Sequence, residues 1–340
     1  MNDVLFRSAN LHDLHAIHHL ALDSGIGMTS LVKNNDLLEK RLLWAVKSFS
    51  STISKPHHEY YLFVLEDTST HKLVGISAIQ SNIGNKIPFY SYRLTKHIQR
   101  CASLDIQNEY NVLTLIKNHK GCSEMCSLFL EPPYRHGGNG LLLSRSRFLF
   151  MANYPNRFEP TVIAEMRGVS DESGHSPFWD AVGHHFFHMT YAKADKLTPI
   201  GDKQFISDLM PTTPILVELL PPSAQAVIGK PHPDTEAALT MLINEGFQLT
   251  DYVDIFDAGP TISVSRKKIK TIRDSQLLTI DSLVDDVHGS RYIVANTNLQ
   301  FRATISQITF QNKKTHCAIH KDTADLLQIK VGDCVRVALL

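Results

Sequence analysis

The chain has 340 residues, of which 43% are hydrophobic and 20% charged, which is typical of a globular protein with room for two domains. Lys plus Arg equals Asp plus Glu, at 34 each, so no net charge draws it to nucleic acid or an acidic membrane. The chain has no apolar run of the roughly 18 residues a membrane span needs, and its five cysteines form no C-x-x-C pair, so a cytoplasmic protein with reduced thiols is expected.

The N-terminal quarter of the chain alternates between strand and helix patterns. Asn10 is a favourable N-cap for the first helix, and a polar turn joins the last two strands as an antiparallel hairpin. The glycine-bearing loop at 25–31 either stops the first helix or forms a wall of a ligand site. The predicted elements are a strand at 4–9, helices at 11–21 and 37–49, and strands at 60–67 and 72–79.

A strand, a glycine-rich loop, a helix and a second strand follow one another within residues 125–168. The first strand is stopped by Glu131, Pro132 and Pro133. Such a βαβ unit is almost always right-handed and parallel. The glycine loop at 135–140 lies where the helix begins, so several backbone N–H groups lack intrahelical partners and favour an anion such as a phosphate. The elements are a strand at 125–130, a helix at 141–152 and a strand at 161–167.

The spacing of the glycines narrows the kind of phosphate ligand. Gly137, Gly138 and Gly140 fit neither the dinucleotide pattern G-x-G-x-x-G nor a Walker loop. Arg135, Gly138 and Gly140 fit R-x-x-G-x-G, which resembles the pyrophosphate loop of the GNAT superfamily of acyl-CoA N-acyltransferases. In that superfamily the loop binds the pyrophosphate of coenzyme A. A glycine-rich turn that opens an ordinary helix is the alternative.

The remaining segments complete the predicted fold. Ser176 caps a helix that begins with Pro177, and residues 84–124 are less regular and interpreted as an insertion. A helix at 235–245 precedes a strand at 247–257. The fold class predicted is α/β (α+β) with a mixed central sheet flanked by helices. The predicted domains are a GNAT-like acyltransferase domain over 1–268, with the insertion at about 84–124, and a small β-rich domain over 275–340, joined by a basic linker at 267–273.

Longer segments resemble one family of this superfamily, the arginine N-succinyltransferases, over nearly the whole chain and more loosely after about residue 275. They are Thr-Ser-Leu at 29–31, Phe-Val-Leu-Glu-Asp at 63–67, Ser-Glu at 123–124, Cys126 with Leu-Phe-Leu at 128–130, Gly-Asn-Gly at 138–140, Ser-x-Ser-Arg-Phe at 144–148, Ala-Glu-Met-Arg-Gly at 164–168, Ser-Pro-Phe-Trp at 176–179, and Asp-Ile-Phe-Asp at 254–257 with Gly259 and Pro260.

The resemblance implies transfer of succinyl from succinyl-CoA to the α-amino group of L-arginine, giving N2-succinylarginine and CoA. This is the first step of arginine catabolism to glutamate and succinate. Succinyl-CoA would act as co-substrate, with no permanently bound cofactor. The loop at 25–28 is less glycine-rich than is usual in the family, so an ornithine-preferring or other acyl-CoA N-acyltransferase is an alternative. A non-catalytic acyl-CoA-binding sensor is another. The partners expected are succinyl-CoA and L-arginine, without nucleic acid or membrane, and a homo- or hetero-oligomer is left open.

The expected chemistry assigns roles to the coenzyme-side residues. Aminolysis of a thioester needs a held coenzyme, a neutral amine, a stabilised oxyanion and a proton for the thiolate. The resemblance implies an acyl-CoA contact at Leu128, through its backbone N–H, and a proton donor at His232. Because His232 and Pro233 open a helix, whose positive end disfavours imidazolium, we expect a lowered pKa for this histidine.

An arginine acceptor needs carboxylates for its guanidinium and a cation for its α-carboxylate. Glu165 and Arg167 fall at the end of the second parallel strand, where ligands collect, or else they form a strand-end salt bridge. Asp254 and Asp257 near the last strand are further candidates. His184 and His188 are four residues apart and could share a helix face as metal ligands. Their surroundings are typical of a partly buried aromatic edge, so no metal is expected.

Overall fold

The structure is a computed structural model that describes residues 3–117, 119–197, 204–312 and 315–340. Within these residues the strands join edge to edge into one mixed sheet, in the order β14-β15-β11-β16-β12-β13-β1-β2-β3-β6-β7-β10-β9-β4-β5-β8. The strands are β1 (Val4–Ser8), β2 (Tyr60–Asp67), β3 (Leu73–Ile83), β4 (Tyr90–Cys101), β5 (Ile106–Lys117), β6 (Cys122–Leu130), β7 (Thr161–Glu165), β8 (Ile215–Leu216), β9 (Gln248–Val253), β10 (Pro260–Ser265), β11 (Gln276–Val284), β12 (Arg291–Asn296), β13 (Arg302–Gln307), β14 (Thr309–Gln311), β15 (His316–His320) and β16 (Cys334–Leu339).

Helices pack against the sheet, so the predicted fold class, with a β-rich C-terminal part, is confirmed. The α-helices are α1 (Leu14–Asp23), α2 (Asn35–Ser50), α3 (Asn139–Asn153), α4 (Pro177–Ala181), α5 (Gly183–Phe187), α6 (Tyr191–Leu197), α7 (Gln204–Leu209), α8 (Pro222–Gln225), α9 (Glu236–Asn244), α10 (Lys270–Asp274) and α11 (Lys321–Leu327). No helix in the described ranges has both the length and the apolar character to cross a bilayer.

Local sequence signals form the elements as predicted at several helix starts. The side chain of Asn10 accepts the N–H of His12, and Asp13 completes a capping box at the turn before α1. The hydroxyl of Ser176 accepts the N–H of Trp179 at the start of α4. The hairpin of β2 and β3 is also present, so short-range patterns correctly predicted these elements.

The central unit is β6, α3 and β7, and its two strands are parallel as predicted. They are paired only from Cys122 to Glu124 on β6, opposite 161–163 on β7. Beyond this point β6 continues for six more residues to Leu130 without β7 beside it. The two strands therefore diverge and leave a gap that opens toward the glycine loop.

A β-bulge interrupts β6 inside this gap. Cys126 lies opposite Ala78 of β3 whereas Phe129 lies opposite Ile76, so three steps on β6 match two on β3. Ser127 has a φ of 55°, in the left-handed region. Its N–H and its hydroxyl both bond to Ser30, at 3.0 Å each. The bulge is thus fixed to the loop that follows α1.

One segment differs from the sequence expectation. The irregular insertion contains a regular hairpin, in which β4 and β5 pair over twelve residues each. Its outer half is exposed, and a strand pair with no buried face carries no apolar alternation for sequence analysis to detect. The basic linker is also ordered, because Thr271 at its centre donates its N–H and hydroxyl to Glu245, at 2.7 and 2.8 Å.

The C-terminal strands are continuous with the rest of the sheet. β13 pairs antiparallel with β1, and the hydroxyl of Thr304 donates to the carbonyl of Val4 at 2.8 Å. Phe301 is fully buried against Phe6, Phe63 and Phe150 of the N-terminal part. The two parts therefore share one hydrophobic core as well as one sheet.

Candidate active site

A cleft of about 1290 Å³ opens beside α3, and we call it the large cleft. One wall is the end of β6 with the glycine loop at 135–140, and the opposite wall is His232 with the start of α9. The loop after α1 and residues 170–172 close the sides. The cleft therefore brings together segments that are distant in the sequence, including every residue predicted to bind the coenzyme.

Open backbone donors line this cleft at the start of α3. The amide of Asn139 donates to the carbonyl of His136 at 3.0 Å and that of Leu142 to Gly138 at 2.9 Å. Within the described chain, the amides of Gly137, Gly138, Gly140 and Leu141 have no acceptor, and all four residues line the cleft. A row of open amides at a helix N-terminus is a binding site for an anion.

Arg135 extends the anion-binding character of this loop. Its Nε donates to the carbonyl of Leu130 at 2.9 Å, which ties the side chain to the end of β6. The residue is exposed and lines the cleft. The fixed Nε leaves the outer guanidinium nitrogens able to contact a phosphate, for which the planar fork is well suited.

The C-terminal part supports the glycine loop from behind. Gly138 has a φ of 97°, and a Cβ atom there would lie 3.1 Å from Ile305 and 3.3 Å from Leu340. Arg291 donates to the carbonyl of Gly137 at 2.9 Å. The left-handed backbone and the close packing both require glycine at position 138. The C-terminal part therefore stabilises the site, which sequence analysis did not reveal.

A second, smaller cavity of about 120 Å³, which we call the inner pocket, lies in the gap between β6 and β7. It shares Leu128, Arg167 and Thr235 with the large cleft, so the two cavities meet there. Leu128 belongs to the bulge, whose extra residue has no opposite partner on β3. The predicted contact residue thus lies at the junction between a coenzyme-sized cleft and a side pocket.

His232 lines the large cleft with both ring nitrogens in hydrogen bonds. Nδ1 accepts the N–H of Asp234 at 3.1 Å, so Nε2 carries the hydrogen and donates to the carbonyl of Ser170 at 3.1 Å. The pKa of His232 is lowered from its ordinary value of 6.5, first by burial and then by Arg167 nearby. The lowered pKa agrees in direction with the sequence expectation, with burial as its largest cause and Arg167 as the next.

Asp254 and Asp257 line the inner pocket, and the carboxylates of both accept hydrogen bonds from backbone N–H groups of the surrounding loops. Asp254 accepts the N–H groups of Phe256 and Asp257, at 2.6 and 3.0 Å. Asp257 is buried and accepts from Gly168, Gly259 and Tyr191 at 2.8 to 3.1 Å. Burial, with the nearby Asp254, raises the pKa of Asp257. The contacts of Asp257 fit a residue that joins two loops beneath the pocket.

Glu165 and Arg167 also line the inner pocket, and Arg167 reaches the large cleft as well. Arg167 donates to the hydroxyl of Ser170 at 3.3 Å, while its buried Nε has no hydrogen-bond partner in the described chain. A Cβ atom at Gly27 would lie 2.8 Å from that Nε. The loop after α1 therefore forms a wall of the pocket, and it also ends α1 at Asp23.

Sequence analysis missed Arg147, which also lines the inner pocket. The residue was noted only as part of the Ser-x-Ser-Arg-Phe segment at 144–148, but its side chain is 1% exposed. The signal that could have found it is the apolar character of residues 141–151 on all sides of the helix, because a helix of that kind is buried. A charge within such a helix requires a special environment.

The predicted absence of a metal site was based on the residues at 184 and 188. His184 contacts the carbonyl of Met189 at 3.1 Å, and His188 ends α5 in a left-handed conformation, with a φ of 50°. The two rings therefore do not share a helix face. In the described ranges, no three His, Cys, Asp or Glu side chains come together as a group that could hold a metal.

Open amides at a helix start, a bulged strand at the cleft and a half-buried histidine together match the site of an acyl-group transferase. Comparison with known proteins specifies the family. The model of the arginine N-succinyltransferase beta subunit matches residues 4–271, and the model of its C-terminal domain matches 276–338. The chain belongs to the arginine N-succinyltransferase family, a family of acyltransferase enzymes.

Individual relatives match over their full length. Arginine N-succinyltransferase of Yersinia enterocolitica is 41% identical over 98% of this chain and 97% of its own, and that of Photorhabdus laumondii is 39% identical over 99% and 98%. The solved structure of arginine/ornithine succinyltransferase subunit AI from Pseudomonas aeruginosa has a TM-score of 0.90 at 35% identity, covering 99% of this chain and 98% of that one. The fold is thus that of the family throughout.

Proposed function

We propose that this protein transfers succinyl from succinyl-CoA to the α-amino group of L-arginine, giving N2-succinylarginine and CoA. The observation that carries the proposal is the row of open amides at Gly137, Gly138, Gly140 and Leu141 on the wall of the large cleft. These amides would bind the pyrophosphate of the coenzyme. The pantetheine arm would then follow the unpaired edge of β6 and bring the thioester to Leu128, where the cleft meets the inner pocket.

The amine would attack the thioester directly, without an acyl-enzyme intermediate. The one cysteine thiol on the described lining of the inner pocket is that of Cys126, and burial raises its pKa to about 12. A thiol with such a pKa stays protonated at neutral pH and is a poor nucleophile. The backbone N–H of Leu128 would stabilise the oxyanion that forms on attack, because a donor fixed before the reaction needs no reorganisation.

His232 would transfer the proton to the leaving thiolate. Its Nε2–H lines the cleft, and the lowered pKa keeps the ring neutral at physiological pH. The hydrogen on Nε2 would pass to the sulfur, and the same nitrogen would regain a proton from the ammonium group that attack on the thioester leaves on the acceptor. The carbonyl of Ser170 and the N–H of Asp234 hold the ring in one tautomer and orientation. The sulfur would leave as the thiol of CoA once it receives this proton.

The inner pocket would receive the acceptor. Its lining carries several carboxylates, among them those of Glu165 and Asp254, which favour a guanidinium, while Asp257 fixes the loops beneath them. The guanidinium of Arg167 on the same lining favours an α-carboxylate. The Pseudomonas relative is described as acting with arginine and ornithine, so ornithine is the acceptor to compare. Ornithine lacks the planar guanidinium fork that pairs with two carboxylate oxygens at once.

A thiol-release assay tests the proposal. Free CoA is expected from succinyl-CoA only when L-arginine is added, and mass spectrometry is expected to find succinylarginine modified at the α-amino group. Release of CoA with ornithine but not with arginine would contradict the proposed acceptor and identify ornithine in its place. Binding of succinyl-CoA without release, with either acceptor, would contradict catalysis and indicate an acyl-CoA-binding sensor.

A further inference from the structure

Arg147 is a positive charge inside the protein without a negative partner. Its guanidinium donates to the carbonyls of Ser144, Ala78 and Cys126, at 3.2, 3.3 and 3.4 Å, all of which are neutral acceptors. It has no ion pair within the part of the chain that the structure describes. Burial lowers the pKa of this guanidinium to about 10. A buried charge without a counter-ion is destabilising, so a role for it with an incoming anion is the simplest physical reason for its presence.

The position of Arg147 matches the length of a four-carbon acyl chain. Its contact on β6 is the carbonyl of Cys126, two residues before Leu128, and the bulge at Ser127 keeps this separation below the roughly 7 Å that two residues span in an extended strand. Both residues line the inner pocket, and Leu128 is where the coenzyme cleft enters it. In a succinyl thioester, two methylene groups separate the terminal carboxylate from the reacting carbonyl. A chain directed from Leu128 along β6 would bring that carboxylate toward Arg147.

The acceptor's own carboxylate is the other anion that enters the site. Arg147 contacts carbonyls on β3 and β6, whereas Asp254 and Asp257 belong to the turn between β9 and β10. In the sheet, β7 lies between β6 and β10, so Arg147 and this acidic turn are on different sides of the gap. Arg167, which follows β7, precedes Gly168, whose N–H donates to Asp257 at 2.8 Å, so it lies nearer to the acceptor side. The topology therefore assigns Arg147 to the acyl side.

We propose that Arg147 binds the terminal carboxylate of the acyl group and so selects a dicarboxylic acyl-CoA over a monocarboxylic one. The proposal rests on the proposed function and adds to it the residue that recognises the acyl group of the donor. The fixed guanidinium, held from three sides, would pair with the carboxylate without reorganising. A monocarboxylic chain of the same length would leave the charge unpaired.

The test compares succinyl-CoA with butyryl-CoA, which has the same number of acyl carbons and no terminal carboxylate. For Arg147→Met we expect the ratio of the two kcat/KM values to fall by about 100-fold, because truncating one partner of a buried charge pair has effects of this size. The activity with butyryl-CoA should not fall in parallel, because that chain has no carboxylate for Arg147 to bind. The matched control is Arg145→Met, since Arg145 lies on the same helix but pairs with Glu245 at 3.0 Å, and this variant should keep the wild-type ratio.

Other results would overturn the proposal. An unchanged ratio in Arg147→Met would do so, as would an equal loss with both thioesters, which would indicate a structural role. A raised KM for arginine that vanishes with agmatine, which has no α-carboxylate, would assign Arg147 to the acceptor instead. If circular dichroism shows that Arg147→Met does not fold, Arg147→Lys is the second variant, because lysine keeps the charge and lacks the planar fork of arginine. For this variant the ratio of kcat/KM with succinyl-CoA to that with butyryl-CoA should fall about tenfold.

Equilibrium binding separates this proposal from the proposed function. Without an acceptor, the wild type should bind succinyl-CoA more tightly than butyryl-CoA, and Arg147→Met should abolish that preference. This result together with no transfer to arginine would contradict the proposed function and leave the role of Arg147 intact. Transfer to arginine with an unchanged binding preference would contradict the role of Arg147 alone.

Discussion

His232 and His320 open helical turns with the same local geometry. In each, Nδ1 accepts the N–H two residues later at 3.1 Å, and an Asp carboxylate lies 3.6 Å away. The surroundings differ, because His232 lines the large cleft beside Arg167 and His320 belongs to the C-terminal part. The pair therefore allows the capping role of a histidine to be separated from a chemical one.

For His232→Ala we expect turnover to fall at least tenfold with little change in the affinity for CoA, because proton transfer typically contributes about 100-fold or more. His320→Ala loses the same kind of cap and should keep its turnover. Steady-state kinetics and calorimetric titration with CoA measure the two quantities. Equal losses of turnover in both variants would mean that His232 acts only through its cap.

The pH dependence of kcat should report the pKa of His232. Because burial and Arg167 lower this pKa below 6.5, the ring is neutral at pH 7 and becomes charged only as the pH falls further. We expect kcat to be level near neutrality and to decline below pH 6.5, and His232→Ala should lose this decline. A profile that declines already above pH 7 in the wild type, and equally in the variant, would contradict the assignment.

At the residue scale, the structure brings the residues predicted for the coenzyme side together in one cleft. Leu128, Arg135, His232 and the loop glycines line one cleft, as their local patterns and the resemblance implied. Asp257 was predicted from its charge, but its contacts with backbone and tyrosine donors depend on a tertiary arrangement that no local pattern specifies. Arg147 was missed for the same reason, since burial of a charge depends on what packs around its helix.

At the element scale, the glycine loop and the C-terminal strands act together. The loop's left-handed residue packs against Ile305 and Leu340, and Arg291 binds its neighbour's carbonyl. The sequence revealed the loop because its left-handed backbone requires glycine, and a cluster of glycines is visible in the sequence. It gave no sign of the support, because contacts between residues more than 150 positions apart leave no short-range pattern.

Gly138→Ala should weaken the binding of CoA by at least about tenfold, because a Cβ atom strains the left-handed backbone by roughly 1–2 kcal/mol. The same atom would also push the loop away from Ile305 and Leu340 of the C-terminal part. Gly332→Ala is the matched control, because its φ is 90° and a Cβ atom there would have no neighbour within 4 Å. Calorimetric titration with CoA should find normal affinity in this control. Normal affinity in Gly138→Ala would show that the loop geometry is not needed.

Elements without a buried face were the ones that sequence analysis could not define. The strands β4 and β5 were interpreted as an irregular insertion, although they pair along their full lengths. Backbone hydrogen bonds hold this hairpin, and its exposed outer residues, such as Ile98 and Leu104, leave no two-residue alternation. By contrast, β2 and β3 were predicted because most of their residues are buried and apolar.

At the scale of the whole molecule, the two predicted parts should unfold together. Phe301 of the C-terminal part is fully buried among phenylalanines of the N-terminal part. Phe301→Ala should lower the free energy of unfolding by about 3–5 kcal/mol, the usual effect of removing a buried ring. Scanning calorimetry should then find a single transition moved to lower temperature. Two separate transitions in the wild type would contradict the shared core.

The most direct test of the account is a crystal structure of the protein with succinyl-CoA bound. We expect the pyrophosphate within hydrogen-bond distance of the amides of Gly138 and Gly140, and the thioester beside Leu128 with His232 facing its sulfur. A pyrophosphate bound anywhere else on the molecule would contradict the central claim that open amides at the start of α3 position the acyl donor.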